Sequence, residues 1–178
     1  MESNIKVPDN VEVKYEGKNF VVKGPKGSVS KKNPVRLVDV ELKGKDIILK
    51  TKNEKKPARA QMMTLSKNIK NMMSGVCKPY TYKMSIVYSH FPLSVLVKGN
   101  VFIISNFAGQ KKQIKIKVVD NVKVEIKGKD IFITSVDKNA AGQVAANIEG
   151  KAKVRSKDRR IFQDGIYIVK KGVQNEWY

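Results

Sequence analysis

The sequence predicts an α+β fold made of two tandem, duplicated domains, each an antiparallel β-sheet packed with one helix, and a basic C-terminal extension on the second. Three observations carry that expectation. The stretch "VELKGKDIIL" at 40–49 returns as "VEIKGKDIFI" at 124–133, 84 positions later. That recurrence belongs to a longer one, because "VPDNVEVKYEGKNFVVKGPKG" at 7–27 aligns with "FPLSVLVKGNVFIISNFAG" at 91–109 once two residues are removed near the turn. Proline, a Val-x-Val strand, a Phe-led strand and a closing glycine recur in the same order, which marks an internal duplication. Finally, apolar residues alternate through most of each copy and then change to helical spacing, as strands closed by a helix would.

Each element follows in turn. Val11, Val13 and Tyr15 alternate with Glu12 and Lys14, a glycine-containing turn comes next, and Phe20 and Val22 resume the strand pattern. "GPKG" at 24–27 is flanked by "NFVV" and "SVS", so it reads as a β-hairpin turn with Lys26 exposed at its tip, not as the nucleotide-clamping loop of a KH domain. Val40 and Leu42 alternate again, and "KGKD" turns the chain back into Ile47 and Leu49, with Gly44 and its counterpart Gly128 free to take positive φ. Pro57 suits the start of a helix. Beyond it Ala58, Met62, Leu65, Ile69 and Met72 recur at spacings of 4, 3, 4 and 3, and Gly75 is placed as the C-cap. The methionine pairs fall on this helix and read as core packing.

"YTYKMSIVYS" sets Tyr80, Tyr82, Met84, Ile86 and Tyr88 on one face and reads as the first strand of the second domain, so the expected domains are 1–79 and 80–178. Ile114, Ile116 and Val118 oppose Lys115 and Lys117, the pattern of a half-buried strand with a wet, basic side. Ala141, Ala145, Ile148 and Ala152 make the second helix, with Gly150 near its end. The extension "KAKVRSKDRRIFQDGIYIVKK" at 151–171 carries eight Lys or Arg among 21 residues, opposed only by Asp158 and Asp164. Ile161, Phe162, Ile166, Tyr167 and Ile168 offer anchors, and Asp164-Gly165 signals a turn before a short strand.

Charge decides the class of partner. The 178 residues hold 36 Lys and Arg against 16 Asp and Glu, a formal +20. Dividing the chain after Tyr82 leaves 18 basic and 8 acidic residues on each side, so both halves carry +10. An excess of this size repels itself unless a polyanion neutralises it. Nucleic acid is the first expectation, ahead of an anionic membrane surface. Within the extension the cations are dense, include Arg155, Arg159 and Arg160, and alternate with anchors. Arginine forks onto phosphate or stacks on bases, where lysine acts as a point charge.

Catalysis and metal binding are not expected. Cys77 is the only cysteine and His90 the only histidine. A disulfide within the chain and a cysteine zinc cage are therefore excluded, nothing like a nucleophile elbow surrounds Cys77, and no phosphate-binding glycine loop occurs. Both residues read as structural. No cofactor, metal or small-molecule substrate is expected. The start lacks a signal pattern, and no apolar run approaches the ~18 residues of a membrane span. A soluble, intracellular protein without a membrane partner is the expectation.

"VKGPKGSVS", "YKMSIVYSHFP" and "KDRRIFQDGIY" together resemble the universal large-subunit ribosomal protein family called L-six in bacteria and L-nine in eukaryotes. The resemblance spans nearly the whole chain, and its junction and end motifs are nearer the eukaryotic branch. In aromatic content before its helix the first copy departs from that branch. The resemblance implies two tandem α+β domains and a place near the stalk base and the sarcin–ricin loop, where translational GTPases dock. It implies large-subunit rRNA and neighbouring ribosomal proteins as partners, and residence on cytoplasmic ribosomes with nucleolar transit if the source is eukaryotic. It nominates Lys151, Lys153, Arg155, Lys157, Arg159 and Arg160 for phosphate neutralisation, joined by Lys26, Lys111 and Lys112. Phe162, Gly165 and Tyr167 would hold the extension's shape, Tyr167 also counting among the RNA contacts. A general RNA-binding or RNA-chaperone module is the alternative function. An enzyme acting on nucleic acid, which would have to depend on His90, is the third.

Overall fold

Alternating apolar residues form a stable strand only where something covers the apolar face, and a helix supplies that cover in each half of this chain. The computed structural model describes residues 2–16, 19–32, 38–44, 46–51, 55–155, 157–158 and 160–173. The chain divides into two compact units, Met1–Pro79 and Tyr80–Tyr178.

The first unit runs β1 (Glu2–Lys6), β2 (Glu12–Glu16), β3 (Asn19–Gly24), β4 (Gly27–Lys32), β5 (Asp39–Lys43), β6 (Asp46–Lys50) and α1 (Lys56–Cys77). Its strands divide into two antiparallel sheets, ordered β1-β6-β5 and β2-β3-β4. On α1 the apolar stripe Ala58, Met62, Leu65, Ile69, Met72 and Val76 is buried against Phe20, Val22, Ile47 and Leu49 of the unit's core. Each large side chain removed from water there stabilises by about 1.5–3 kcal/mol. The β3–β4 hairpin closes with Gly24 paired to Gly27. The Lys26 amide donates to Val76 O at 3.0 Å, docking the tip on the end of α1. A Cβ on Gly24 would lie 2.7 Å from Val76 Cγ2, so glycine permits this close approach.

The second unit repeats the plan with β7 (Tyr80–Val87), β8 (Ser94–Lys98), β9 (Val101–Ser105), a 3₁₀ turn (Phe107–Gly109), β10 (Ile114–Lys117), β11 (Val122–Lys127), β12 (Asp130–Ser135), α2 (Lys138–Lys151) and β13 (Gly165–Val173). Its sheets are β10-β9-β8 and β11-β12-β7-β13. Strands β7, β12 and β11 stand as β1, β6 and β5 do, and β13 adds a strand on the other side of β7. The Asp137 side chain caps α2 by accepting the Asn139 amide at 3.0 Å. The helix packs Ala141, Val144, Ala145 and Ile148 over Met84, Ile131 and Ile133.

Burial raises the Tyr82 phenol above its ordinary 10.0, because the phenolate would lose solvent within this core. As pH rises past 10 the unfolded chain releases that proton more readily, so stability falls there. Tyr82→Phe is expected to flatten the alkaline limb of a melting-temperature profile, and an unchanged limb would show that other groups govern it.

Several local expectations change. Strand β1 was not anticipated, because Ile5 is its only buried residue and "ESNIK" shows no alternation. Gly75 is not a cap: α1 continues through it to Cys77, since buried Val76 extends the apolar stripe, and the Lys78 amide closes the helix on Ser74 O. Tyr88 lies past the end of β7 and is exposed, as is Met63, while Met62, Met72 and Met73 are buried. Gly44 and Gly128 do take positive φ, 60° and 61°. No helix among the described residues is long and apolar enough to cross a membrane.

Candidate nucleic-acid interface

The extension begins where α2 ends. Along "KAKVR" at 151–155 exposure alternates, with Ala152 and Val154 buried and Lys151, Lys153 and Arg155 turned to solvent. The apolar members are drawn into the core, and the period of two then forces the cations outward. A single antiparallel bridge from Lys153 to Gly165 ties this stretch to the start of β13.

A tight turn follows. Asp158 Oδ1 accepts the Arg160 amide at 2.9 Å, and Asp158 O accepts the Phe162 amide at 2.8 Å. Phe162 packs on the core, with the His90 ring stacked 4.5 Å away and Lys157 Nζ 4.3 Å from its centroid. Asp164 is only 2 % exposed, and its Oδ1 accepts the backbone amides of Ser89 and His90. A carboxylate acceptor thus pins the 88–90 loop beneath the extension. Gly165 is buried where a Cβ would come 2.9 Å from Ala152 O and 3.0 Å from the Tyr167 ring. The Tyr167 hydroxyl donates to Gln163 O at 3.2 Å. Gly165→Ala is therefore expected to cost about 1–3 kcal/mol by forcing apart the two limbs of the extension. A melting temperature equal to that of the unsubstituted chain would show that the backbone yields freely.

Elsewhere on the surface, three lysines have carboxylate partners among the described residues. Lys50 Nζ lies 3.0 Å from Glu41 Oε2, and that hydrogen bond and charge raise its pKa above the usual 10.5. Lys83 pairs with Asp130 at 2.7 Å, and Lys123 with Glu125 at 2.7 Å, the latter lowering the Glu125 carboxyl. In contrast, Lys151, Lys153, Arg155, Lys157 and Arg160 are exposed and have no ion-pair partner among the described residues. Their charge is left for an external anion.

The structure thus gathers Lys151, Lys153, Arg155, Lys157, Arg160 and Tyr167 on one anchored segment. Arg159 lies outside the described residues. Lys111 and Lys112 are exposed in the separate loop before β10, and Lys26 is exposed on the hairpin of the first unit. Of the expected anchors, Ile166 is buried and Phe162 and Ile168 are half-buried, whereas Ile161 is 62 % exposed. Sequence reasoning treated Asp164 only as a turn residue and passed over Glu149, whose Oε1 accepts the Ile168 amide at 3.0 Å. The available signal for Glu149 was its isolation as the one acidic residue between Asp137 and Asp158. His90 is exposed and stacked, not enclosed. Among the described residues no group of His, Cys, Asp or Glu could hold a metal ion.

A duplicated α+β frame that holds exposed cations along a pinned segment defines a polyanion-binding scaffold. Comparison with known proteins narrows the class. The family model described as "Ribosomal protein L6" matches residues 7–78 and again 91–165, so the family pattern itself occurs twice. The large ribosomal subunit protein uL6 of the archaeon Methanosarcina mazei is 38 % identical over 167 residues, covering 94 % of this chain and 95 % of the relative. Its namesake in Archaeoglobus fulgidus is 39 % identical, covering 96 % and 89 %, and that in Saccharolobus solfataricus 40 %, covering 97 % and 96 %. The chain belongs to the ribosomal protein L6 family. As a member it is a structural protein of the ribosome and not an enzyme.

Proposed function

We propose that this chain is a structural constituent of the large ribosomal subunit and that its second unit, 80–178, supplies the main rRNA contact through the extension. The observation that carries the reading is that Lys151, Lys153, Arg155, Lys157 and Arg160 are exposed, with no ion-pair partner among the described residues, on a segment pinned by Phe162, Asp164 and Gly165. Arg159 joins them by its place in the sequence. Lys26, Lys111 and Lys112 make secondary contacts, and the first unit, 1–79, is a scaffold built on the same plan. The mechanism is electrostatic: each cation that meets a phosphate releases a condensed counterion. Neighbouring ribosomal proteins complete the surroundings. The site lies near the stalk base and the region where translational GTPases dock, a position supported by the family resemblance. Nucleolar transit has no support from the archaeal relatives.

Two measurements test it. With about eight phosphates neutralised, the slope of log K against log salt for an rRNA fragment is expected near roughly −7. A slope of magnitude ~2 or less would overturn the mechanism. Sedimentation of tagged protein after a high-salt wash should leave it with the large subunit. Release into the light fractions, with bulk tRNA displacing the rRNA fragment, would instead identify a general RNA binder.

A further inference from the structure

Inside the curve of the extension lies a cleft of about 410 Å³, lined by Glu149 and Gly150 of α2, Lys153 and Val154 of the first limb, and Phe162 and Tyr167 of the second. Its volume falls in the range of pockets that enclose a small ligand, roughly 300–1,000 Å³. We propose that this cleft receives one unstacked guanine base of the bound RNA, an inference that rests on the RNA-binding reading above.

The chemistry of the lining separates this role from phosphate binding. Tyr167 is 39 % exposed, and its ring is held between Gly165 and the hydroxyl's bond to Gln163 O, giving a fixed aromatic wall. Val154, 8 % exposed, and half-buried Phe162 form an apolar floor suited to a base and unsuited to a phosphate. Glu149 spends Oε1 on the Ile168 amide, and its other oxygen carries no hydrogen bond among the described residues. A carboxylate repels phosphate but accepts N–H groups. Lys153, which lines the same cleft, offers ammonium donors. Guanine presents N1–H and N2–H donors beside the O6 acceptor, the edge that a carboxylate acceptor and an ammonium donor lining one cleft can both engage. RNA-binding proteins commonly read splayed bases in this manner, by stacking and edge hydrogen bonds. The backbone phosphates on either side of such a base would meet Lys151, Arg155 and Lys157 at the rim.

The test uses the full chain and three RNA hairpins identical except at one bulged position, which holds guanosine, adenosine or an abasic ribose. The guanosine hairpin is expected to bind roughly ten-fold tighter than the abasic one, the size of one base stack, and tighter than the adenosine hairpin. Gly150→Leu fills the cleft at an exposed position where an added Cβ meets nothing within 4 Å, so the fold tolerates it. It should erase the preference and leave the salt slope unchanged. Salt-dependent binding equal for all three hairpins would overturn the cleft assignment and leave the electrostatic reading standing. Adenosine binding as tightly as guanosine would overturn the pairing assigned to Glu149 and Lys153. A preference that survives Gly150→Leu would place the base elsewhere. Binding without salt dependence to any of them would overturn the underlying RNA-binding reading and the cleft with it.

Discussion

Replacing Lys151, Arg155, Lys157 and Arg160 together by glutamine is expected to lower the magnitude of the salt slope by roughly 3.6, at 0.9 per lost phosphate contact. Near about 0.1 M salt that is a loss of three to four orders of magnitude in affinity for rRNA. The effect should fall on binding and leave stability nearly untouched. These side chains are exposed and make no ion pair among the described residues, and surface positions of that kind usually change stability by no more than about 0.5 kcal/mol. A quadruple variant that melts like the unsubstituted chain and binds with a slope within one unit of it would place the main contact off the extension.

The reverse pattern is expected at Asp164. Its carboxylate is 2 % exposed and satisfies two backbone amides, those of Ser89 and His90. Asp164→Ala strands both donors in a buried setting, at about 1–3 kcal/mol each when nothing replaces the acceptor. Water can recover part of this, because Ser89 and His90 are themselves exposed, so a total of about 2–4 kcal/mol is expected. For a unit of this size that lowers the melting temperature by roughly 10 °C or more. Asp164→Asn keeps an acceptor oxygen and loses only the charge assistance, so its cost should be about half as large. A melting temperature within about 2 °C of the unsubstituted chain for Asp164→Ala would show that the 88–90 loop is held by the His90–Phe162 stack instead.

Much of the fold was legible because half-buried strands and helices write their environment into period. Val22, Ile47, Met84 and Ile133 fall on the expected faces, and the stripe from Ala58 to Met72 is buried residue for residue. The extension's outward cations were legible too, since "KAKVR" alternates small or apolar residues with charged ones. What escaped lacked a local signature. Strand β1 shows a single buried apolar residue and is held by pairing with β6, a partner forty or more residues away. Gly75 looked like a stop signal until the packing of Val76 outweighed the cost of a glycine in a helix. Tyr88 continued the alternation of β7 on paper, but the strand ends before it.

By itself the sequence determined the duplication, the two helices, the antiparallel strand pattern and a +20 charge that calls for a polyanion. Each of these depends on composition or on a period, which are properties of the chain read in order. Only the tertiary structure decided that β13 pairs with β7, that Asp164 faces inward to hold a loop some 75 residues earlier, and that Glu149, Lys153 and Tyr167 meet around one cleft. Such choices are made by competition among distant strand edges and buried polar groups for partners. That competition is settled by proximity in space, for which the order of residues carries no periodic trace.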